Sequence, residues 1–585
     1  MTTRTLRKTM SASIIAALLA WGAVAHALPV LEGLETLPAL PTTFDTTMVA
    51  PTGTVIPVGP GQDLQAALNL AKPGDVVSID PSATFTGNFT LPKKDGDGWI
   101  TVRTATPDSS LPAAGTRVSP TESALMPKLI SPNSLPAISA APGAQGYRLV
   151  GLDVSVAPTV PTIFNIVQFG GDQTSLTDTP KNMIVDRSYI HGQPQTNSFR
   201  GVLLNSASSA VIDSYVSEIH AQGFDAQAIL GYNGPGPFKI VNNRLEASGE
   251  NIMFGGADAK SAALSPADIE IRRNLLFKPL TWKADDPSFA GTQWTVKNLL
   301  ELKNATRVLI DGNVLENNWT QSQNGTAVLF TPRNQDGTAP FSVVKDVTFT
   351  NNQLKNVTNA IVMQGFDEGH PSQQLQRVLV RNNLFQGTPG TLALLIGPIN
   401  GVTIDHNTAV GVTRFAVFAS NAASPGFTLT NNLLGFGEFG IAGDGAGSGK
   451  LVFATYFPGA SVLKNVLIGG DGLNQLSQLP DMNFIELLLS EVGFLDPANG
   501  DFRLSDLSKY HLAGTDGFDI GVDFEALLQA LMLDMVGMPG GGGNGGCADD
   551  GECLNPTPEP ATLILLGTAL AGAGVAAVRR RRKAA

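Results

Sequence analysis

The feature of this 585-residue chain that most limits its fold is a short unit that recurs along most of its length. Each unit has three or four residues that alternate apolar and polar, then a polar turn that usually ends in Asn, then a second short apolar run. The alternation has the period of a β-strand and not of a helix. Successive turns are 24 to 39 residues apart. The turn residues are Ser188, Ser214, Asn243, Asn274, Asn313, Asn352, Asn383, Asn407, Asn432 and Asn465.

Strands this short do not fold as isolated hairpins at these spacings, but they can fold if each unit winds once and stacks on the previous one. Equivalent strands then pair in parallel about 4.8 Å apart, and the apolar side chains fill the inside of the coil. An Asn that recurs at one turn can stack with the Asn above and below, with its amide hydrogen-bonded to them and to the backbone. The pattern therefore predicts an all-β solenoid.

This pattern resembles that of the right-handed parallel β-helix family, over roughly residues 60 to 510. The resemblance implies an all-β, right-handed, single-stranded parallel β-helix. The stretch "PGQDLQAALNLAKPGDVVSID", residues 60–80, predicts a short amphipathic helix that Pro73-Gly74 ends, followed by a strand. In that family such a helix covers the open N-terminal end of the core, which would otherwise be an exposed edge. Near the other end, Phe524 to Val536 predicts a helix that covers the last coil.

The N-terminus predicts export. Arg4, Arg7 and Lys8 precede an apolar run that ends at the small-x-small site Ala25-His26-Ala27. This is the pattern of a secretory signal peptide, and an uncleaved anchor helix is the alternative.

The C-terminus has the order Pro558-Glu559-Pro560, an uncharged run from Ala561 to Val578, and a basic cluster from Arg579 to Lys583. The run would extend about 27 Å as a helix, which is enough for a transmembrane segment with its basic end in the cytoplasm. This order resembles the PEP-CTERM sorting tag of Gram-negative bacteria. The resemblance implies recognition by an exosortase in the inner membrane, removal of the tail, and export to the cell surface or extracellular matrix. A plain membrane anchor is the alternative and predicts the same orientation.

The domain organisation follows from these assignments. Cys547 and Cys553 are the only cysteines, and they could form a small disulfide loop. The predicted segments are a signal peptide at 1–27, an N-terminal extension at 28–59, an N-terminal cap with the first coils at 60–125, β-helix repeats at 126–470, a C-terminal capping segment at 471–536, a Gly-rich linker at 537–557 and the sorting tag at 558–585.

The charge of the exported body limits its partners. Residues 28–560 carry 30 basic and 50 acidic side chains, a net charge of −20. A body this acidic is not expected to bind nucleic acid, and it would bind a polyanion only through a local basic patch. The expected partners are a polysaccharide, an exosortase and, before processing, the inner membrane. The chain is expected to be a monomer.

Two long inserts are candidates for the walls of a binding groove. They span residues 278–294 and 319–341 and carry Trp282, Trp294 and Trp319. Tryptophan rings are suited to stacking on sugar rings, so we predict these three as substrate-binding residues. The alternative is that they pack the inserts onto the coil.

The stretch around Lys303 and Arg333 resembles part of polysaccharide lyase family six, in which a Lys precedes a strand-turn-Asn unit and an Arg follows one coil later. The resemblance implies that Lys303 is the base that removes the uronate C5 proton and that Arg333 aids the leaving oxygen. It also implies a calcium ion that neutralises the substrate carboxylate. Asn274 matches one family ligand, but Val296 and Asn298 stand where the family has two acids. We therefore predict no cofactor and leave calcium open.

Two functions stay open from the sequence. The first is a non-catalytic surface or matrix β-helix that binds or organises exopolysaccharide. The second is a polysaccharide lyase that cleaves a uronate polymer by β-elimination with Lys303 and Arg333. An outward Lys and a loop Arg on a solvated face would favour the first function.

Overall fold

The computed structural model describes residues 37–387, 390–470 and 479–532. The predicted signal peptide, the two cysteines, the Gly-rich linker and the C-terminal apolar run lie outside these residues. Within the described ranges, no helix is both long and apolar enough to cross a membrane.

The chain winds as a solenoid with three long sheets, and each coil adds one strand to each sheet in turn. We name them sheet A, sheet B and sheet C in the order in which a coil visits them. Neighbouring strands within a sheet come from successive coils and pair in parallel, as in the pairing of Ile269 with Val308 and of Val308 with Val347. The exception is at the end of sheet C, where Gly447–Ser448 pairs antiparallel with Ile441–Gly443. The prediction of an all-β parallel solenoid is confirmed.

The strand bounds follow the order of the coils. Sheet A contains Val55–Val58, Val76–Ile79, Ile100–Thr104, Gln145–Val150, Lys181–Asp186, Ala207–Ile212, Phe238–Val241, Ala267–Arg272, Ala305–Asp311, Val344–Thr350, Gln376–Arg381, Asn400–Asp405, Phe427–Thr430 and Ser461–Leu463. Sheet B contains Thr84–Thr86, Lys128–Ser131, Asp153–Val156, Tyr189–His191, Tyr215–Ile219, Arg244–Ala247, Leu275–Phe277, Val314–Asn318, Gln353–Val357, Leu384–Gln386, Thr408–Val410, Leu433–Gly435, Val466–Ile468 and Phe484–Glu486. Sheet C contains Phe89–Leu91, Ile138–Ala140, Val167–Phe169, Arg200–Leu204, Gln227–Gly231, Glu250–Phe254, Leu300–Leu302, Thr326–Phe330, Asn359–Gln364, Thr391–Ile396, Phe415–Ser420, Ile441–Gly443 and Gly447–Ser448. Two short sheets pair Thr162–Ile163 with Asn197–Ser198 and Phe494–Asp496 with Asp501–Leu504.

The predicted Asn residues form a ladder at the turn between sheets A and B. Nδ2 of Asn313 donates to the carbonyl of Ile271 and to Oδ1 of Asn352, each at 2.9 Å. Oδ1 of Asn352 also accepts the backbone N–H of Asn313 at 2.9 Å. The same contacts repeat from Asn243 to Asn483, and the hydroxyls of Ser188 and Ser214 replace the amide in the earlier coils. Each amide thus satisfies buried backbone groups that the turn leaves unpaired.

The residue before each ladder position has a left-handed backbone, which explains the frequent Asn pairs in the sequence. Asn242, Asn351, Asn382 and Asn431 have φ between 54° and 58°. Asn tolerates this region better than most side chains because it is short and polar.

Three short α-helices accompany the solenoid in the described part of the chain. Helix α1, Leu64–Leu70, has Asp63 as its N-cap and buries Leu64, Ala67 and Leu68 at the N-terminal end of the core, as predicted. Helix α2, Lys450–Tyr456, packs Val452 and Phe453 into the core near its other end. Helix α3, Phe524–Leu531, begins where the sequence predicted a helix.

The position of α3 differs from the expectation that it covers the last coil. Its Leu527 and Leu528 pack with Leu384, Val314 and Val410, which project from the outer face of sheet B several coils earlier. The helix therefore lies on the side of the solenoid. Its four buried side chains need an apolar surface, and sheet B supplies one there.

Candidate functional site

The outer face of sheet C carries charged side chains at strand positions where neighbouring coils carry apolar ones. Leu300 and Leu302 point into the core, so Glu301 between them points outward. Glu301 lies in register with Met253 on one side and with Leu329 on the other. A carboxyl group thus interrupts an apolar row on this face.

Five side chains meet here, and we call them the charged cluster: Asp225, Glu250, Lys297, Glu301 and Lys303. Nζ of Lys297 lies 2.7 Å from Oδ2 of Asp225 and 2.7 Å from Oε1 of Glu250. Nζ of Lys303 lies 3.5 Å from Oε2 of Glu301. The side chain of Glu250 is fully buried and that of Glu301 is 4% exposed, whereas Asp225 is 41% exposed. The cluster therefore opens to solvent at its Asp225 edge.

The two buried carboxyls of the cluster have opposite electrostatic environments. Burial alone would raise the pKa of Glu250, but Lys297 and Lys303 outweigh it and hold that pKa below its usual range. Burial raises the pKa of Glu301; Lys303 opposes this rise only in part, and the charge of Glu250 adds to it. The surroundings therefore favour the anion at Glu250 and the protonated form at Glu301. Two neighbouring carboxyls separated in this way are the usual arrangement for acid–base chemistry.

A buried lysine fixes the turn from which Glu250 projects. Nζ of Lys278 donates to the carbonyls of Ala247, Ser248 and Gly249 at 2.8, 2.9 and 2.7 Å. These three bonds use all of its donors. Burial lowers the pKa of Lys278 to about 7. The buried ammonium group thus fixes the backbone of this turn, and with it the position of Glu250 at the start of the next strand.

The two predicted catalytic residues lie on the same face in neighbouring coils. The backbone N–H of Arg333 donates to the carbonyl of Lys303 at 2.8 Å. The Arg333 guanidinium contacts Oδ1 of Asp367 and Oε1 of Gln364, both at 3.1 Å. Met363 points into the core, so Gln364 points outward, and Arg333 therefore lies outside sheet C. The structure thus brings Lys303, Glu301 and Arg333 to one side of the solenoid.

The predicted sugar-stacking tryptophans lie within the inserts. Trp282 and Trp294 are 5% and 3% exposed. Trp294 stacks on His220 with ring centroids 3.7 Å apart, and Trp282 meets the same ring edge to face at 5.3 Å. Trp319 is half-buried. Trp282 and Trp294 hold the first insert against the coil, and in this conformation neither offers a free ring face to a ligand.

The residues present do not fit the calcium site that the resemblance implies. Asn274 belongs to the ladder, and its amide is bonded to Ile240 and Asn313 inside the coil. Val296 is a buried apolar residue, and the Asn298 amide donates to a backbone carbonyl. In the described part of the chain, no group of three or more His, Cys, Asp or Glu side chains is arranged to hold a metal ion. Lys297 instead lies between two carboxylates of the cluster.

Sequence reasoning missed Asp225, Glu250 and Lys297, and it also missed Arg200 on the same face. A usable signal exists in the first residues of consecutive sheet C strands. Three consecutive strands read "RGVLL", "QAILG" and "ENIMF", each beginning with a polar residue, and only Asn251 is polar among the residues that follow. The polar residues align in the solenoid, since Arg200 pairs with Gln227 and Gln227 with Glu250.

Comparisons with known proteins return solved structures of low similarity, and no curated protein matches the chain. One is the catalytic unit of a thermostable GH87 α-1,3-glucanase from Streptomyces thermodiastaticus strain HF3-3, with 14% identity over 72% of this chain and 70% of that chain and a TM-score of 0.42. Another is a mannuronic acid-specific polysaccharide family 6 lyase from human gut microbiota, with 12% identity over 82% and 99% and a TM-score of 0.39. A third is pectate lyase Pel9A, with 13% identity over 80% and 96% and a TM-score of 0.33.

These identities and TM-scores assign no activity to this chain. The C-terminus gives a specific result and confirms the predicted tag. Residues 556–582 match the model of the PEP-CTERM protein-sorting motif, which indicates an exported protein that is sorted at a membrane.

Proposed function

We propose that this exported β-helix binds a polysaccharide along the outer face of sheet C, at the charged cluster and Arg333. The observation that carries the proposal is the position of Lys303 and Arg333 on neighbouring coils of one face, beside two buried carboxyls. Burying two glutamates and Lys297 beside the half-buried Lys303 opposes folding unless each charge is compensated. A surface that retains them is more easily explained by ligand recognition than by stability.

Binding is tested by titrating the full chain with a panel of uronate polymers and neutral glucans in a calorimeter. The double variant Lys303→Ala/Arg333→Ala should bind its best polymer at least about tenfold more weakly, because two cationic hydrogen-bond donors are removed. Lys181→Ala, an exposed lysine on sheet A, is the matched control. Equal affinities for the double variant and the wild type would contradict binding at this face.

A second candidate function is β-elimination of a uronate polymer, and the 3.5 Å contact between Lys303 and Glu301 favours it. Lys303 would first pass a proton to Glu301 across this contact and would then take the C5 proton of the uronate as the free amine. The C4–O bond would break as a C4=C5 double bond forms, and the protonated Glu301 carboxyl would give its proton to the leaving oxygen. Arg333 would bind that oxygen as charge develops on it. Return of the proton from Lys303 to Glu301 would then restore both groups.

The elimination is tested by the ultraviolet absorbance of the unsaturated product, with and without added calcium. Lys303→Met should abolish product, and Glu301→Gln should lower the rate by roughly 10²–10⁴-fold, since it removes a proton donor. Asp285→Asn, in an exposed loop pair, is the control. If no polymer of the panel yields product in either condition, the elimination fails, and binding stands or falls on the calorimetry.

The proposal also covers how the chain is cleaved at its two ends and where the body is located. We infer that the leader is cleaved, that an exosortase in the inner membrane of a Gram-negative bacterium removes the C-terminal tail, and that the body reaches the cell surface or extracellular matrix as a monomer. The matched sorting motif supports this inference. Replacing the segment from Pro558 to Pro560 with alanines should leave the uncleaved chain at the membrane. Normal release of that variant would contradict tag-dependent processing.

A further inference from the structure

An aromatic ridge lies beside the charged cluster, on three successive coils of which the last also carries Asp225. It consists of Phe164, Phe199 and Phe224, each of which comes just before a sheet C strand. Phe199 and Phe224 stack with centroids 4.4 Å apart and planes at 22°, and Phe164 meets Phe199 edge to face at 5.4 Å. Phe164 is 51% exposed and Phe224 is 50% exposed. Contiguous exposed rings of this kind are uncommon on a soluble surface unless they bind something.

A groove of about 590 Å³ runs along the ridge on its N-terminal side. Phe164 and Phe199 line it together with Asn133, Ser134 and Thr162. Its surface thus combines flat apolar rings with hydroxyl and amide groups. A sugar ring has the matching composition, because its C–H groups present an apolar face and its hydroxyls lie at the edge.

Arg200 adds a positive charge that no anion of this face neutralises by contact. It lies in register with Gln227, which donates to Oε2 of Glu250 at 2.7 Å. Among the described residues, Arg200 takes part in no ion pair, and its buried Nε has no hydrogen-bond partner. A largely buried guanidinium with no carboxylate in contact is unusual, because the charges of Asp225 and Glu250 offset its desolvation only in part.

Two other arginines of the solenoid differ from Arg200 because each has a carboxylate partner. Hydrogen bonds to Asp268 and Asp346 raise the pKa of Arg307 and Arg377. Burial lowers the pKa of Arg200. Arg200 is therefore available to an anionic group supplied from outside the chain.

The ridge and the cluster form one continuous path. Phe224 is followed by Asp225, whose carboxylate contacts Lys297 of the cluster. Equivalent positions on successive coils are about 4.8 Å apart, so the path could follow an extended glycan approximately one sugar per coil.

We propose that Phe164, Phe199, Phe224 and Arg200 form a subsite for an acidic polysaccharide, with pyranose faces on the rings and a uronate carboxylate on the guanidinium. This inference rests on the proposed binding of a polysaccharide at sheet C and names the class of glycan and the direction in which it extends. Planar guanidinium groups bind carboxylates through two parallel hydrogen bonds, and such contacts are strong when they are shielded from water.

The ridge is tested with two lengths of oligouronide titrated into the full chain, one that spans only the charged cluster and one that also reaches the ridge. The double variant Phe164→Ala/Phe224→Ala should bind the long oligomer about tenfold more weakly and the short one unchanged. Phe518→Ala, which removes a ring that is 55% exposed in the C-terminal segment, is the matched control. An unchanged affinity for the long oligomer would overturn the subsite while leaving the cluster proposal intact. Failure of the wild type to bind either oligomer would overturn both.

Arg200 is tested by comparing the long oligouronide with a neutral oligosaccharide of the same length. Arg200→Gln should lower affinity for the acidic oligomer about tenfold and leave the neutral one unchanged, and Arg200→Lys should restore part of the loss. An equal loss for both oligomers would overturn carboxylate recognition. Sedimentation of the double Phe variant supplies a further check. If the wild type self-associates and this variant does not, the ridge is a contact between copies, and the subsite is overturned.

Discussion

Sheets A and C have the same parallel ladder inside, but their outer faces are built differently. Along sheet A, acids and arginines alternate on four successive coils, at Asp268, Arg307, Asp346 and Arg377. Arg307 lies 2.6 Å from Asp268, and Arg377 donates to Asp346 at 2.8 Å. Along sheet C, burial raises the pKa of Glu301, and Arg200 has no ion-pair partner among the described residues.

The chain also covers sheet A with its own N-terminal segment. The backbone N–H groups of Ala39 and Thr42 donate to Asp346 and Asp268, and Phe44 packs on an apolar patch that includes Ile184. Sheet C instead carries the half-exposed rings of Phe164 and Phe224. The difference indicates that sheet A is a structural face with its charges matched internally, whereas sheet C leaves polar and aromatic groups for an external partner.

The largest effect is expected from Asp186→Ala on sheet A. Asp186 is fully buried and contacts Arg148 at 2.6 Å and Arg187 at 2.9 Å. Its removal leaves two buried cations unpaired, so the free energy of unfolding in urea should fall by about 3–5 kcal/mol. Asp108→Ala, which breaks an exposed pair with Arg103, should cost less than about 1 kcal/mol. Similar losses for the two variants would contradict the structural role of sheet A.

A smaller loss of stability is expected when the aromatic ring that contacts sheet A, Phe44, is removed. Phe44→Ala should lower the free energy of unfolding by about 1–2 kcal/mol, because a half-buried ring leaves its patch, and it should expose residues 37–49 to limited proteolysis. Phe224→Ala on sheet C should change stability by less than about 0.5 kcal/mol. A destabilised Phe224 variant would mean that the ridge is a packing element.

The two faces should respond to pH in opposite directions. Burial raises the pKa of Glu301 above its usual 4.5, so wild-type stability from this group is complete below that value and is lost as pH rises through the folded pKa. The Glu301→Gln variant has no carboxyl to ionise, so its free energy of unfolding should rise relative to that of the wild type as pH rises. Urea midpoints of both proteins measured from acid to neutral pH test this expectation, and a constant difference between them would contradict a raised pKa of Glu301.

Asp346 on sheet A provides the opposite case. Burial alone would raise its pKa, but the hydrogen bonds from Arg377 and from the backbone of Ala39, together with the charge of Arg377, outweigh burial and lower it. The stability that Asp346 contributes is fully present above its usual pKa of 3.8 and is lost as pH falls through its lowered pKa in the folded protein. Asp346→Asn should therefore be less stable than the wild type at neutral pH, and the difference should shrink in acid.

The smallest effect on stability is expected from Arg200→Gln. Because this guanidinium has no ion-pair partner among the described residues, its removal should leave the free energy of unfolding within about 0.5 kcal/mol of the wild type or raise it slightly. Arg307→Gln should cost more, since it unpairs Asp268. A marked loss from Arg200→Gln, measured in the same urea titration, would mean that the arginine supports the fold.

Much of the fold could be predicted from the sequence because its determinants are local. The alternation in "RVLID" and the Asn that ends the turn act within one coil, and the recurrence of both predicts the parallel ladder and its Asn contacts. The site was predictable only in part. Lys303 and Arg333 were found, but Asp225 and Lys297 are 72 residues apart and no local pattern connects them.

The sequence by itself determined the solenoid, its Asn ladder and the sorting tag, because each depends on residues close together in the chain. Only the tertiary structure decided which charges meet on sheet C, that α3 lies along sheet B, and that residues 37–49 cover sheet A. The physical reason is the variable length of the coils. Neighbours across a solenoid are a whole coil apart, so inserts between strands decide which side chains are brought together.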